Sequence, residues 1–413
     1  MNTPSAHPVS ARLNARTDAD LTVVGGAGHV GIPLVLAFAK AGMTVNVNDL
    51  NEGVLTQLAA GKLPFIEHGA APLLSKALAE NRLVFTSQPS AISRRGPVIV
   101  TIGTPVDEFL NPVRQAVQDC IDALLPHMQD DQLMVLRSTV YPGTTSWLDS
   151  YLKRLGRNIK VAFCPERVVQ GNGIKELHEM PQIVSGITRE AEDEATALFQ
   201  RIAPELVIIK PLEAEFAKLF SNAYRYIEFA ATNQFYMIAK SAGADYKAIT
   251  QAMKHNYPRL TSLPRPGFAA GPCLFKDTMQ LAAFARNQFG LGQAAMQVNE
   301  GLVLQLVDDL RRSYDVSNMT IGLLGMAFKA DIDDTRASLS YKLKRTLQMF
   351  AREVLVTDPF VTIDPAILPF DEVVARSDML ILCTPHSAYA DSDLNGKPVV
   401  DVWGFLKNAN VVY

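Results

Sequence analysis

The sequence predicts an α/β protein: two Rossmann-like, doubly wound parallel-sheet domains joined by a central helical segment that contains a long helix. Three observations carry this. Short apolar runs alternate with helical stretches at both ends of the chain, the pattern of βαβ units. A glycine motif, Gly26-Ala27-Gly28-His29-Val30-Gly31, directly follows the first such run. Between the two ends, apolar residues from Phe216 to Ala230 recur at helical spacing within a stretch that runs unbroken to Ala242.

Taken in order, Met1 to Asp20 lack an apolar core and read as a disordered tail, not a signal peptide. Leu21 to Val24 is a strand, Ile32 to Ala41 a helix, and Thr44 to Asn48 a second strand ending at Asp49. Val98 to Ile102, Met134 to Leu136 and Val161 to Phe163 continue the sheet. Near the C-terminus the same rhythm returns: Met319 to Leu324 before Gly325, Val354 to Thr357 before Asp358, and Leu380 to Leu382 before Cys383-Thr384-Pro385. The expected organisation is a tail (1–20), a first Rossmann domain (21–212), a helical segment (213–312) and a second Rossmann-like domain (313–413).

Composition narrows the function. The 413 residues are 48% hydrophobic and 20% charged, with a net charge of -3. No basic excess marks a nucleic-acid or anionic-lipid surface, and no apolar run is long enough to span a bilayer. Cys120, Cys164, Cys273 and Cys383 are widely separated and lack metal-type spacing, so reduced thiols in a cytoplasmic protein are expected.

In the glycine motif, Gly26 permits a tight turn, Gly28 lets a pyrophosphate approach the backbone, and Gly31 packs helix on strand. His29 and Val30 fill the remaining positions, and the helix N-terminus faces the phosphates. Asp49 accepts from the ribose hydroxyls and repels a 2′-phosphate, so the cofactor is NAD and not NADP. Thr104 and Thr139 fall on loops after strands, where open α/β sheets bind ligands. The loop from Pro264 to Pro272 leads to Cys273 and Lys276, just ahead of a helix expected from Asp277 to Phe289. A helix N-terminus and a nearby lysine both favour a nucleophilic thiolate. Lys218 and Asn222 lie four apart on one helical face.

These motifs, with Gly103-Thr104-Pro105, Ser138-Thr139-Val140, Cys164-Pro165-Glu166-Arg167 and Asp334-Thr335-Arg336-Ala337-Ser338, resemble the UDP-glucose/GDP-mannose dehydrogenase family from about Leu21 to Val412. The resemblance implies a homodimer built on the helical segment. It also implies NAD-dependent four-electron oxidation of a UDP-sugar C6 hydroxyl to a uronic acid, serving surface polysaccharide synthesis. Cys273 is then the nucleophile, forming a thiohemiacetal and a thioester. Lys218 assists deprotonation or stabilises oxyanions, Asn222 holds an oxygen, Glu166 does acid/base work and Asp277 activates water. Lys276 and Arg336 fall beside the cofactor; Arg259, Phe268, Gly271, Phe328 and Lys329 fall at the sugar nucleotide.

The chain departs from the family at Ala269-Ala270-Gly271-Pro272, where many members have Gly-Gly before the residue preceding the cysteine. Cys164-Pro165-Glu166-Arg167-Val168 and Pro181-Gln182-Ile183-Val184 resemble the UDP-N-acetylhexosamine branch, with UDP-N-acetylmannosamine or UDP-N-acetylglucosamine as substrate. UDP-glucose stays open, as does a two-electron hydroxyacid-type dehydrogenase, which needs no cysteine. A non-catalytic NAD sensor would require loss of Cys273, Lys218 or Glu166, and all three are present.

Overall fold

The computed structural model describes residues 17–107, 113–269, 271–407 and 409–413. Most of the expected tail, 1–16, and Ala270 of the cysteine loop lie outside them. The end of that tail is folded: Ala19 is buried, its carbonyl accepts from Ser93 Oγ, and Thr44 N donates to Asp20 at 2.7 Å. The chain forms two compact units, up to Phe220 and from Ser221 onward.

The first unit is built on eight strands: β1 (Leu21–Val24), β2 (Val45–Asn48), β3 (Leu83–Thr86), β4 (Val98–Val100), β5 (Leu133–Leu136), β6 (Lys160–Phe163), β7 (Gln182–Gly186) and β8 (Leu206–Ile208). Their order is β3-β2-β1-β4-β5-β6-β7-β8, parallel except for the β6–β7 pair. The first six have the 3-2-1-4-5-6 order of a dinucleotide fold, with the strand order reversing between β1 and β4. Side chains alternate between two cores, as period-two geometry requires. Leu21, Val23, Ile99 and Val135 face one layer; Val24, Val98, Val100 and Met134 face the other. Burial on both faces explains why these strands read as continuous apolar runs.

Helix α1 (Gly31–Lys40) covers one face through Ile32, Leu34, Val35 and Phe38. Each such aliphatic or aromatic side chain contributes about 1.5–3 kcal/mol when fully buried. Helix α2 (Pro211–Ser241) is the long helix expected from the periodicity. Pro211 opens it with a φ already suited to a helix, and Glu213 accepts from Lys210 N at 2.9 Å. Gly243, at φ +70°, ends it with a 3.0 Å bond to Lys240 O. Buried Glu215 ties its start to the loop after β5, accepting from Gly143 N at 2.5 Å and Thr145 N at 2.8 Å.

The second unit contains α3 (Tyr246–Lys254), α4 (Leu274–Phe284), α5 (Gly290–Ser313) and α6 (Leu339–Leu347). Its sheet holds β9 (Thr320–Leu324), β10 (Glu353–Thr357), β11 (Met379–Leu382), β12 (Pro398–Val400) and β13 (Asn410–Val411). All five are parallel in the order β10-β9-β11-β12-β13, a shorter doubly wound sheet with its own reversal between β9 and β11. Helix α4 begins and ends earlier than expected, because Arg286 and Asn287 take φ +54° and +58° and turn the chain before Phe289. Among the described residues no helix is long and apolar enough to cross a membrane.

Candidate active site

In the first unit, the end of β1 turns through Gly25 at φ +74°. A Cβ at Gly26 would meet Val23 O at 2.7 Å, and one at Gly31 would meet Gly25 O at 2.4 Å, so both positions need glycine for packing. At Gly28 the nearest atom would be Gly25 O at 3.4 Å, so this surface is left open to approach. Val30 is the N-cap of α1 and offers no side-chain cap; Ile32 N already donates to Gly28 O at 2.9 Å and Pro33 has no N–H, which leaves Gly31 to offer an amide at the helix start. Asp49 stands half-buried at the end of β2. Ala27 N donates to its Oδ2 at 3.1 Å and Asn51 N to its Oδ1 at 3.0 Å. Both bonds orient a carboxylate beside the turn, and these residues together fit the pyrophosphate and ribose of NAD.

Around that turn the structure gathers further expected residues. Thr104 Oγ1 donates to Thr139 O at 2.6 Å, tying the loops after β4 and β5 together. His29 stacks on Phe65 with centroids 3.8 Å apart, and Gln170 Nε2 lies 2.9 Å from its Nδ1. The loop of Gln170 begins at Glu166, which is buried and ion-paired with Arg137. Arg137 Nε donates to Glu166 Oε2 at 3.1 Å, while Arg167 N and Val168 N donate to Oε1 at 2.7 and 2.9 Å. Arg137 itself is 1% exposed and also donates to Cys164 O and Gln182 Oε1. Glu166, expected to do acid/base work, thus has both oxygens engaged in holding its own turn. Lys218 is half-buried on α2 and makes no hydrogen bond or ion pair among the described residues.

In the second unit, Cys273 is exposed at the N-cap of α4. One turn on, Asp277 is 1% exposed and accepts from Asn222 Nδ2 at 2.6 Å. Its other oxygen lies 3.5 Å from Lys276 Nζ and has no hydrogen bond among the described residues. The cysteine loop packs on the segment after β9. Gly271 N approaches Ala337 O at 3.4 Å, and a Cβ on Gly271, at φ +109°, would lie 2.7 Å from the Phe328 ring. Arg336 binds Asp334 through Nε and Nη2, at 2.6 to 3.0 Å. Burial works against its charge, but the Asp334 pair and then the Cys273 sulfur hold the guanidinium firmly cationic. The structure therefore brings Cys273, Gly271, Phe328 and Arg336 together, with Asn222, Lys276 and Asp277 behind them. Lys329 is half-buried beside Phe328.

Two expected substrate residues stand differently. Phe268 is 2% exposed and its ring belongs to the apolar core with Tyr236 and Leu302, so it can offer a ligand little but main chain. Arg259 is exposed on a short turn with its guanidinium against Tyr257. Conversely, sequence reasoning missed a cavity of about 620 Å³ lined by Lys240, Lys247, Lys254, Arg265, Asp401 and Trp403. Asp401 Oδ1 and the hydroxyl of Tyr236, also at its wall, are buried without hydrogen bonds among the described residues. Lys240 lies on α2 and Lys247 and Lys254 on α3, with the Gly243 turn between them, so no period within one segment announced it.

Comparison with known proteins agrees with this geometry. An N-terminal NAD-binding domain model matches residues 19–203, a central-domain model 212–301, and a UDP-binding domain model 322–408, all described as UDP-glucose/GDP-mannose dehydrogenase family. A UDP-N-acetyl-D-mannosamine dehydrogenase of Methanococcus aeolicus is 28% identical over 400 residues, covering 94% of this chain and 89% of that one. An NDP-N-acetyl-D-galactosaminuronic acid dehydrogenase of Ralstonia solanacearum is 27% identical, covering 92% and 95%. The solved UDP-D-ManNAc dehydrogenase of Pyrococcus horikoshii superposes with a TM-score of 0.87 at 25% identity, over 95% of this chain and 98% of that one. With three domains of one family matched in order along most of its length, a cofactor turn suited to NAD and a cysteine at a helix N-terminus, the chain belongs to the UDP-glucose/GDP-mannose dehydrogenase family.

Proposed function

We propose that the protein oxidises the C6 hydroxyl of a UDP-N-acetylhexosamine, with UDP-N-acetylmannosamine the leading candidate, to the uronic acid through a covalent intermediate on Cys273. The observation that carries this is the exposed Cys273 at the N-cap of α4, with Arg336 beside it and the buried Asn222–Asp277 pair one turn behind. A two-electron dehydrogenase has no use for that arrangement. The named relatives acting on N-acetylated sugars support the choice of substrate.

Bound NAD supplies the hydride acceptor, two equivalents per sugar. The residues do the rest. Lys218 stabilises the alkoxide as the C6 hydroxyl gives up its proton to solvent, and loss of the first C6 hydride leaves the aldehyde. The Cys273 thiolate adds to the aldehyde carbon, forming the C–S bond of a thiohemiacetal while the carbonyl oxygen takes up a proton. Loss of that proton and of the C6 hydride leaves a thioester. Water then adds to the thioester carbon, the C–S bond breaks, and Cys273 leaves as thiolate with the carboxylate as product. Asp277 is the base we assign to this water, because one of its oxygens has no hydrogen bond. Glu166 is assigned to positioning: acting as a base would require it to release Arg167 N–H or Val168 N–H, or Arg137.

We assign the nucleotide to the cation-lined cavity next to the same loop, since Pro264, Arg265 and Pro266 line it. The working form is a homodimer, with the exposed α2 residues Tyr224, Phe235 and Ile238 at its seam. These recur at intervals of eleven and three, one helical stripe. The test is a panel of UDP-N-acetylmannosamine, UDP-N-acetylglucosamine, UDP-glucose and GDP-mannose, followed by NADH absorbance and product mass. Two NADH per uronic acid supports the reading. One NADH per aldehyde, or no sugar oxidised, rejects it.

A further inference from the structure

We infer that Asn233 is a positioning residue for the nucleophile: it clamps the root of the Cys273 loop at Gly267. Asn233 lies in the second half of α2 and is fully buried. An amide there would be costly unless every polar atom found a partner, and each does. Gly267 N donates to Asn233 Oδ1 at 2.8 Å, and Asn233 Nδ2 donates back to Gly267 O at 3.0 Å. The second hydrogen of Nδ2 goes to Asn299 Oδ1 on α5 at 2.9 Å, and Asn299 Nδ2 donates to Tyr226 O at 3.1 Å. The amide cannot flip, because the flipped form would set donor against donor and oxygen against oxygen.

The other side of Gly267 is held as well. Its φ of +152° favours glycine, and a Cβ would fall 2.3 Å from the Trp403 ring. Trp403 is itself fixed by a 3.1 Å bond from Nε1 to Cys383 O. Gly267 is thus gripped through its main chain by the Asn233 amide on one side and by a ring on the other, and Gly271 is gripped by Ala337 and Phe328. Only Pro272 separates the second grip from Cys273, so the sulfur's place at the α4 N-terminus depends on these contacts. A thiol held at a helix N-terminus beside cations favours the thiolate. A loosened loop loses that advantage.

This inference takes the meaning of Cys273 from the proposed function, but its test does not need turnover. The rate of Cys273 alkylation by iodoacetamide, located by mass spectrometry and followed against pH, is measured on the full chain. In Asn233→Ala the rate at pH 7 should fall at least fivefold and the midpoint should rise toward that of an ordinary thiol, about 8.5. NADH affinity, read by fluorescence, should stay within twofold. Val303→Ala, a buried α5 truncation with a comparable loss of melting temperature, should leave alkylation within twofold. If Asn233→Ala does not fold, Asn233→Asp keeps the acceptor for Gly267 N–H and loses both donors, and the same shift is expected. Unchanged alkylation in the Asn233 variant, or an equal change in Val303→Ala, overturns the inference. Wild-type protein that makes no uronic acid overturns the proposed function alone.

Discussion

Replacing Asp49 by Asn should collapse discrimination between NAD and NADP. The carboxylate is half-buried and held by two main-chain amides, Ala27 at 3.1 Å and Asn51 at 3.0 Å, so it cannot swing away from a 2′-phosphate. Two unit charges about 4 Å apart repel by about 1 kcal/mol in water and about 4 kcal/mol near a protein surface. A partly exposed group lies between these limits, so about 2–3 kcal/mol is expected, roughly 30- to 150-fold in relative affinity. Asparagine keeps an acceptor for Ala27 N–H but removes the charge, so NADP use should rise while NAD binding weakens modestly through the lost ribose bonds. Initial rates with both cofactors at a fixed UDP-sugar concentration give the ratio of kcat/KM values directly. A wild type that uses both cofactors equally, or an Asp49→Asn protein with the wild-type ratio, refutes the reasoning.

Cys273→Ser should abolish steady-state uronic acid formation, since a serine hydroxyl gives almost no nucleophile at neutral pH, while slow single-turnover NADH formation persists; near-wild-type turnover would return Cys273 to a structural role. Asp277→Asn should release a stoichiometric burst of NADH and then stall, with a thioester adduct at Cys273 by mass spectrometry; steady turnover without a burst would move the water-activating role elsewhere. Lys329→Ala should mainly raise the UDP-sugar KM, and an unchanged KM removes Lys329 from the substrate site. Asp358 should make the protein acid-sensitive: burial opposes its charge, but His386 and main-chain amides overcome this and lower its pKa from 3.8 to about 2. Because the folded value is depressed, the stabilisation is full above about pH 4 and is lost as pH falls toward 2, about 2 kcal/mol in all. Urea unfolding of Asp358→Asn should lack that slope.

What was legible in the sequence was whatever one segment could carry. The run Leu21 to Asp49 holds strand, glycine turn, helix and acidic strand end within thirty residues, and each forms where the pattern put it. The long helix was equally plain because the apolar residues from Phe216 to Ala230 keep one unbroken helical period. Strands β3, β7, β8, β12 and β13 were not found; β8 and β13 are three and two residues long without alternating burial, which leaves no period to detect. The arrest of Glu166 was also hidden. It requires β5 and β6 to lie side by side so that Arg137 reaches across, and nothing in either segment announces the pair. Phe268 was misread for a related reason: an aromatic in a glycine-rich loop looks available until a core closes over it.

The two sheets show how one local pattern is put to different uses. Each first strand ends in a glycine at positive φ that packs on a threonine, Gly25 against Thr101 and Gly325 against Thr384. Each second strand ends in an aspartate whose carboxylate accepts from the turn, Asp49 from Ala27 N and Asp358 from Met326 N and Ala327 N. At Asp49 the bonding stops with Asn51 N, and the carboxylate keeps lone pairs for a ribose. At Asp358 it continues: Phe360 N and Val361 N occupy Oδ1 at 2.8 and 3.0 Å, and His386 Nε2 lies 3.1 Å from Oδ2. His386 Nδ1 accepts from Asp331 N at 2.9 Å, so Nε2 is the nitrogen that donates. The second aspartate has no acceptor left to offer, and α6 begins only at Leu339, well beyond the turn. A dinucleotide has therefore lost both its ribose partner and its phosphate-facing helix at this sheet. The segment that replaces them, from Phe328 to Ala337, instead faces the cysteine loop. The same βαβ frame serves cofactor binding in one unit and support of the cysteine loop in the other, and the difference lies in whether a single carboxylate is left unsatisfied.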